Sequence, residues 1–205
     1  KVLAERDPQR GVPIHMCDAL SREPEQPSQL ANCLAHGRRK FVELLDSFPP
    51  QCRKVLESLR QVYLVDKRAA EGRLSSADRL GLHQAESKPV MDSLHEWMEE
   101  QLTQRLVEPN SGLGHAINYM LRHWDPLTLF LRQPRAPLDH NICERALKKA
   151  ILHRNNSLFY KTQNGAQVGD LFMSLIHTCE LNSVNAFEYL VQLQNNAQRV
   201  EARPA

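Results

Sequence analysis

The sequence predicts an α+β fold that is mostly helical. Apolar residues recur at helical spacing between residues 51 and 107, and glutamates fall between them. Strand-like apolar runs are short and lie near the N-terminus. We therefore expect two or three short strands at the beginning of the chain and helices in the rest of it.

Composition restricts the class of protein. The chain has 205 residues, 41% of them hydrophobic, which suffices for one domain with a real core or for a domain with a sizeable insertion. Its formal net charge is only +2, so contacts with nucleic acid must come from local basic patches. Five scattered cysteines lack the spacing of a disulfide scaffold and favour a reduced, cytoplasmic compartment. No apolar run reaches the roughly 18 residues of a membrane span, so no membrane partner is predicted.

The first element is a short apolar run that ends in an acid. Residues 11–18 fit a strand with Asp18 at its C-terminal end. Residues 30–36 are typical either of a second strand or of the start of a helix. A helix then continues with a basic first turn, formed by Arg38, Arg39 and Lys40.

The helical middle and the C-terminal part carry local signals for helix starts and turns. Ser75-Ser-Ala-Asp78 has the form of a capping motif, and Asn110-Ser-Gly112 indicates the start of another helix. Further on, residues 163–166 are predicted to form a turn, and Ser183 or Asn185 to cap a final helix.

A second acid stands in residues 134–150. Two prolines close a loop there, and Asp139 or Asn141 can cap the helix that follows. Glu144 then lies near the first turn, where unsatisfied N–H groups favour a carboxylate. Basic residues accompany it along the chain: Arg145, Lys148, Lys149 and Arg154.

These residues allow three kinds of site. Asp18 and Glu144 are hard oxygen ligands of the kind that hold Mg²⁺ or Mn²⁺ for phosphoryl transfer, although ordinary surface carboxylates fit the same pattern. The two basic clusters would track phosphates if they converge on one side of the fold. A tetrahedral zinc site is the third possibility. The alternative is that its cysteines are ordinary core residues, as buried free cysteines usually are. The zinc ligands would be His15, Cys17, Cys33 and His36.

Five sequence blocks follow one another along the chain: residues 16–22, 32–41, 137–148, 153–165 and 174–190. The third reads Pro-Leu-Asp-His-Asn-Ile-Cys-Glu-Arg-Ala-Leu-Lys. Together they resemble the insertion-sequence-66 family of bacterial DDE transposases. In that family the first block holds the second catalytic aspartate, the second block a Cys-x-x-His motif, and the third the catalytic glutamate.

The resemblance implies a truncated RNase H-like (retroviral-integrase-like) domain with a large α-helical insertion. The implied core is split between residues 1–48, with the aspartate strand and the Cys-x-x-His block, and residues 134–162, with the glutamate helix. The helical insertion would occupy residues 49–133. A C-terminal helical element would follow at residues 163–195, and a disordered tail at residues 196–205.

The resemblance also implies residue roles and partners. Asp18 and Glu144 would be catalytic and would bind Mg²⁺ or Mn²⁺. The implied activity is DNA cleavage and strand transfer on transposon ends and target DNA, in the bacterial cytoplasm at the nucleoid. The enzyme would act as a homo-oligomer in a synaptic complex with accessory transposition proteins. The residues implied to contact DNA are His36, Arg38, Arg39, Lys40, Arg145, Lys148, Lys149 and Arg154.

One feature departs from the family pattern. The family's first aspartate lies on an earlier strand, whereas only seventeen residues precede Asp18 here, and Asp7 has no strand-like context. We therefore expect the chain to correspond to the C-terminal portion of such a transposase and to be inactive on its own. The alternatives are a non-catalytic DNA-binding or interaction module derived from a transposase, and a metal-dependent nuclease of the same fold.

Overall fold

The computed structural model of the chain describes residues 11–19, 28–141, 144–148, 151–152 and 161–202. The chain divides into two compact units, one ending at His140 and the other beginning at Asn141. In the described residues the regular structure is two short strands and otherwise helices. The predicted α+β, mostly helical class is confirmed.

The two strands pair in parallel. Strand β1 (Ile14–Cys17) and strand β2 (Gln29–Asn32) run in register from Ile14 opposite Gln29 to Cys17 opposite Asn32. Parallel strands end at the same edge of a sheet. Asp18 and Cys33, the residues that follow the two strands, therefore emerge at one edge.

Helix α1 (Leu34–Glu43) begins directly after β2, so residues 30–36 contain both a strand end and a helix start. Cys33 is its N-cap residue, with extended backbone angles. Gly37 lies on the buried side of α1, where a Cβ atom would stand 2.6 Å from the Met120 sulfur. The helix can approach its neighbour closely at this point.

The helical middle follows in chain order. Its elements are α2 (Pro49–Glu71), α3 (Ser76–Leu82), a π-helical turn (His83–Ser87), α4 (Lys88–Thr103), α5 (Gly112–Arg122), α6 (Trp124–Leu127) and a short 3₁₀ turn (Leu129–Leu131). The predicted starts of α3 and α5 are confirmed. The Ser75 hydroxyl accepts from Asp78 N–H, and the Ser111 hydroxyl accepts from Gly114 N–H.

One hydrophobic core joins these elements. Phe41 from α1 and Ala31 from β2 are buried together with side chains of the helical middle. The residues expected as a partial core and those expected as a helical insertion thus share one compact unit. The helical middle contributes residues that include Val55, Leu59, Val62, Met91, Leu94, Met98, Ile117, Met120 and Phe130.

The C-terminal unit is helical wherever the structure describes it. Residues 141, 144–148 and 151–152 have helical backbone, and α7 (Gln163–Leu181) follows. The turn predicted at residues 163–166 is wrong, because the Thr162 hydroxyl accepts from Gly165 N–H at 3.0 Å and caps α7 there.

Two shorter helices complete the C-terminal unit. Asn185 caps α8 (Ala186–Asn195) by accepting from two backbone N–H groups, as one of the two predicted caps. Helix α9 (Ala197–Ala202) lies in the segment expected to be a disordered tail. Across the described parts of both units, no helix has the length and apolarity needed to cross a bilayer.

Candidate functional site

Asp18 lines a pocket of about 220 Å³ in the N-terminal unit. One face of α1 supplies most of the other lining residues, because positions 36, 39, 40 and 43 fall on the same side of a helix. Three of the residues implied to contact DNA therefore lie around the predicted catalytic aspartate. The complete lining is Asp18, His36, Arg39, Lys40, Glu43 and Tyr119.

Charges of both signs line this pocket. The Lys40 ammonium group lies 4.5 Å from the centre of the Tyr119 ring, in a cation–π contact. Burial raises the pKa of the Tyr119 hydroxyl, and the Asp18 carboxylate raises it further. Tyr119 therefore stays protonated and able to donate a hydrogen bond at neutral pH.

The donor set of the pocket fits a hard divalent cation. Mg²⁺ is usually held by one or two carboxylates together with water and substrate oxygens. Asp18 is half-buried and Glu43 is exposed at the same pocket. Sequence reasoning missed Glu43, although its position seven residues after His36 was a signal. Tyr119 gave no signal, because it follows Asp18 by more than one hundred residues.

A second group of side chains lies where β2 meets α1. Potential ligand atoms of Cys33, His36 and His140 all lie within 4.8 Å of one another. The two imidazole rings are stacked, with centroids 5.4 Å apart and planes 7° from parallel. Burial raises the pKa of the Cys33 thiol, while backbone N–H groups of His140, His36 and Ala35 oppose that rise.

This group corrects the predicted set of zinc ligands. Cys33 and His36 belong to it, but His15 is exposed and Cys17 instead donates to Asn32 Oδ1 at 3.5 Å. Sequence reasoning missed His140, because 104 residues separate it from His36. Only the folded chain brings it to the Cys-x-x-His motif.

Three hydrogen bonds fix the loop that carries His140. Leu34 N–H donates to Leu138 O at 2.9 Å, which ties the loop to the start of α1. The Tyr63 hydroxyl donates to Asp139 Oδ2 at 3.2 Å. Arg79 Nη1 donates to Ala136 O at 2.8 Å. The loop is thus held from α1, α2 and α3.

A buried polar network holds Arg79 in turn. Asp66 Oδ1 accepts from Arg79 at 2.6 Å and lies 3.1 Å from His83 Nε2. His83 is fully buried, and its Nδ1 atom lies 2.9 Å from the Ser87 hydroxyl. Burial raises the pKa of Asp66, but the His83 hydrogen bond and the Arg79 guanidinium outweigh it and hold the pKa below its usual value.

The remaining predicted residues lie on the surface or in the C-terminal unit. Glu144 is half-buried on its helical segment, Arg145 is exposed and donates from Nε to Asn141 O at 3.2 Å, and Lys148 is exposed. Arg38 is exposed on α1. Lys149 and Arg154 lie outside the described residues. Asp18 and Glu144 belong to different units, so their pairing at one metal stays a prediction.

Comparison with known proteins identifies the family. A sequence profile described as "Transposase IS66 family" matches residues 14–168. The uncharacterized protein y4hP of Sinorhizobium fredii is 30% identical over 188 residues, which are 85% of this chain and 33% of y4hP. The uncharacterized protein y4jD of the same species is 33% identical over 174 residues, covering 82% of this chain and 32% of y4jD.

This chain spans about a third of the length of these curated relatives. No solved structure matches it. The matched range includes the strand before Asp18, the Cys-x-x-His motif, the helical middle and Glu144. The chain belongs to the IS66 family of DDE transposases.

Proposed function

We propose that the chain takes part in DNA transposition as a portion of an insertion-sequence transposase. The observation that carries this proposal is the Asp18 pocket, where a half-buried carboxylate stands beside Arg39 and Lys40 within the segment that matches the family. Phosphoryl transfer on a polyanion needs this combination. The carboxylate would hold a metal ion, and the cations would hold phosphate oxygens.

In this proposal Asp18 and Glu144 are the acids that would hold Mg²⁺ or Mn²⁺. Such an ion, when bound, supplies Lewis-acid stabilisation of the reacting phosphate. Arg39 and Lys40 orient the DNA backbone, and the Tyr119 hydroxyl is placed to donate a hydrogen bond in the same pocket. Further phosphate contacts would come from His36 and Arg38 on α1 and from Arg145, Lys148, Lys149 and Arg154.

The proposed context is an RNase H-like core interrupted by a helical insertion. The proposed partners of the chain are transposon ends, target DNA, a second copy in the synaptic complex and accessory proteins. The proposed location is the bacterial nucleoid. We infer that these 205 residues do not cut DNA alone, because the family resemblance supplies counterparts for only two of the three catalytic acids, Asp18 and Glu144, and an incomplete set holds a catalytic metal pair poorly.

Binding to DNA should depend on the basic face of α1. Changing Arg38, Arg39 and Lys40 together to glutamine is expected to weaken binding to duplex DNA. It should also make the dependence of log Kd on log salt shallower by about 2–3, because each lost phosphate contact removes roughly 0.9 from that slope. Gel retardation at a series of salt concentrations measures both quantities, and circular dichroism verifies that the variant is folded.

The control variant removes three exposed cations from α2: Arg53, Arg60 and Lys67, each changed to glutamine. It changes the net charge equally and should keep the wild-type slope. An equal loss in both variants, or no retardation of DNA by the wild-type chain, would contradict the proposed interface. Binding without cleavage is also what a non-catalytic module would show, so cleavage needs its own assay.

Supercoiled plasmid incubated with the chain and Mg²⁺ or Mn²⁺ should stay intact. Its rate of nicking should equal the rate measured with the Glu144→Gln variant. The physical reason is that only two of the family's three catalytic acids have counterparts in these residues. Gel electrophoresis of the plasmid over time measures nicking. Strong nicking that Glu144→Gln abolishes would show that the chain assembles a working metal site by itself, and the inferred inactivity would then be wrong.

A further inference from the structure

We propose that Cys33, His36 and His140 form a binding site for one Zn²⁺ ion. The site joins the start of α1 to the loop of residues 136–140. It differs in chemistry from the Asp18 pocket, because one sulfur and two imidazole nitrogens favour zinc over Mg²⁺ or Mn²⁺, which prefer oxygen ligands. The site can bind zinc whether or not the chain cleaves DNA.

The distances leave little movement for metal binding. In a tetrahedral zinc site, bonds of about 2.0–2.3 Å place the ligand atoms roughly 3.3–3.6 Å apart. The three candidate ligand atoms already lie within 4.8 Å of one another. Closing the remaining gap takes about 1 Å, which side-chain rotation can supply. The two imidazole Nδ1 atoms are shielded from solvent.

The Cys-x-x-His spacing supplies two ligands from one helix terminus. Cys33 caps α1 and His36 lies in its first turn, so their side chains share one side of the helix. The backbone N–H groups that face the Cys33 sulfur are those of Ala35, His36 and His140. Backbone donors of this kind stabilise a metal-bound thiolate.

The third ligand comes from the hydrogen-bonded loop. Leu138, two residues before His140, accepts a backbone hydrogen bond from Leu34, one residue after Cys33. Asp139 accepts a hydrogen bond from the Tyr63 hydroxyl. His140 is therefore presented to the Cys-x-x-His motif by a backbone anchor and a side-chain anchor in the two residues before it.

The burial of the three side chains indicates whether solvent can reach a metal ion bound by them. Cys33 is completely buried, whereas His36 and His140 are half-buried. Three protein ligands with partial access to solvent leave a fourth position for water or another donor. His36 also lines the Asp18 pocket, so a zinc ion bound to one of its ring nitrogens would fix the position of this part of the pocket wall.

The test uses the purified full chain after treatment with a chelator. Titration with Co²⁺, a spectroscopic substitute for zinc, should saturate at one equivalent. It should give a thiolate-to-metal charge-transfer band and strong visible bands of a tetrahedral ion, and one equivalent of Zn²⁺ should displace them. Cys33→Ser should lose the charge-transfer band, and His140→Ala should weaken zinc binding by at least about 100-fold.

Matched controls are Cys17→Ser and His15→Ala, which change the same two residue types on β1, outside the group. Both should keep the Co²⁺ spectrum and the stoichiometry. Circular dichroism reports folding, and where Cys33→Ser does not fold, His140→Ala and His36→Ala decide. The proposal is overturned if the wild-type chain binds no stoichiometric metal, if His140→Ala binds as the wild type does, or if Cys17→Ser loses the band.

Discussion

Replacing Asp66 by alanine should lower the free energy of unfolding by about 2–4 kcal/mol. Asp66 neutralises Arg79 and accepts from the fully buried His83, so its removal leaves a guanidinium and an imidazole without their anion. The effect should reach the candidate site, because Arg79 also holds Ala136 in the loop of His140. Urea denaturation at neutral pH measures the loss.

Asp92→Ala is the matched control for this prediction. Asp92 pairs with Lys88 on the exposed face of α4, where both side chains are about half exposed. Surface pairs of this kind contribute under about 1 kcal/mol. Equal losses in the two variants would mean that the Asp66 network carries no special weight.

The same carboxylate predicts a dependence on pH. The pKa of Asp66 is lower in the folded chain than in the unfolded chain. Its contribution is therefore present above the unfolded pKa of about 4 and disappears as the pH falls through the folded pKa. The difference in stability between the wild type and Asp66→Asn should shrink as the pH is lowered below about 4. A difference that grows in acid would contradict the sign.

Gly114→Ala should cost about 1–3 kcal/mol of unfolding free energy. A Cβ atom at this position would meet the carbonyl oxygen of Glu108 and would stand 2.6 Å from that of Pro109. Both neighbours are backbone atoms of the turn that leads into α5, so they cannot rotate away as a side chain would. Thermal or urea unfolding of the purified variant measures the change.

Gly81→Ala supplies the opposite case. Gly81 lies exposed in α3, and nothing stands within 4 Å of a Cβ atom built there. Alanine should stabilise the helix by about 0.5–1 kcal/mol, since glycine is the poorer helix former. A loss at position 81 comparable to that at position 114 would show that the Glu108–Pro109 contact does not decide the outcome.

Local chemistry made part of this fold predictable. The apolar run before Asp18 forms a strand, and Ser75, Ser111 and Asn185 cap helices, because each signal lies within a few residues of its effect. The turn predicted at residues 163–166 was wrong for a reason that is also local. The adjacent Thr162 side chain caps a helix there, and this cap outweighs the turn preference of the Asn-Gly pair.

Long-range packing made the remainder unpredictable. His140 reaches Cys33 only because the helices between them fold back and fix the loop. Tyr119 enters the Asp18 pocket from α5 for a similar reason. The sequence showed the Cys-x-x-His motif but not its third partner, and it showed Asp18 but not the tyrosine and glutamate beside it.

The π-helical turn at His83–Ser87 has a consequence for how this family can change length. A π-helical turn holds one more residue than the α-helical repeat requires, so it shifts the helical phase by about 100° between α3 and α4. That shift lets His83 contact both Ser87 and Asp66 while Met91 and Leu94 face the core. Deletion of a single residue here would restore an uninterrupted α-helix and rotate the apolar side of α4 away from its partners. Relatives that vary in length should therefore do so in the loops, and the 76–103 segment should keep its residue count.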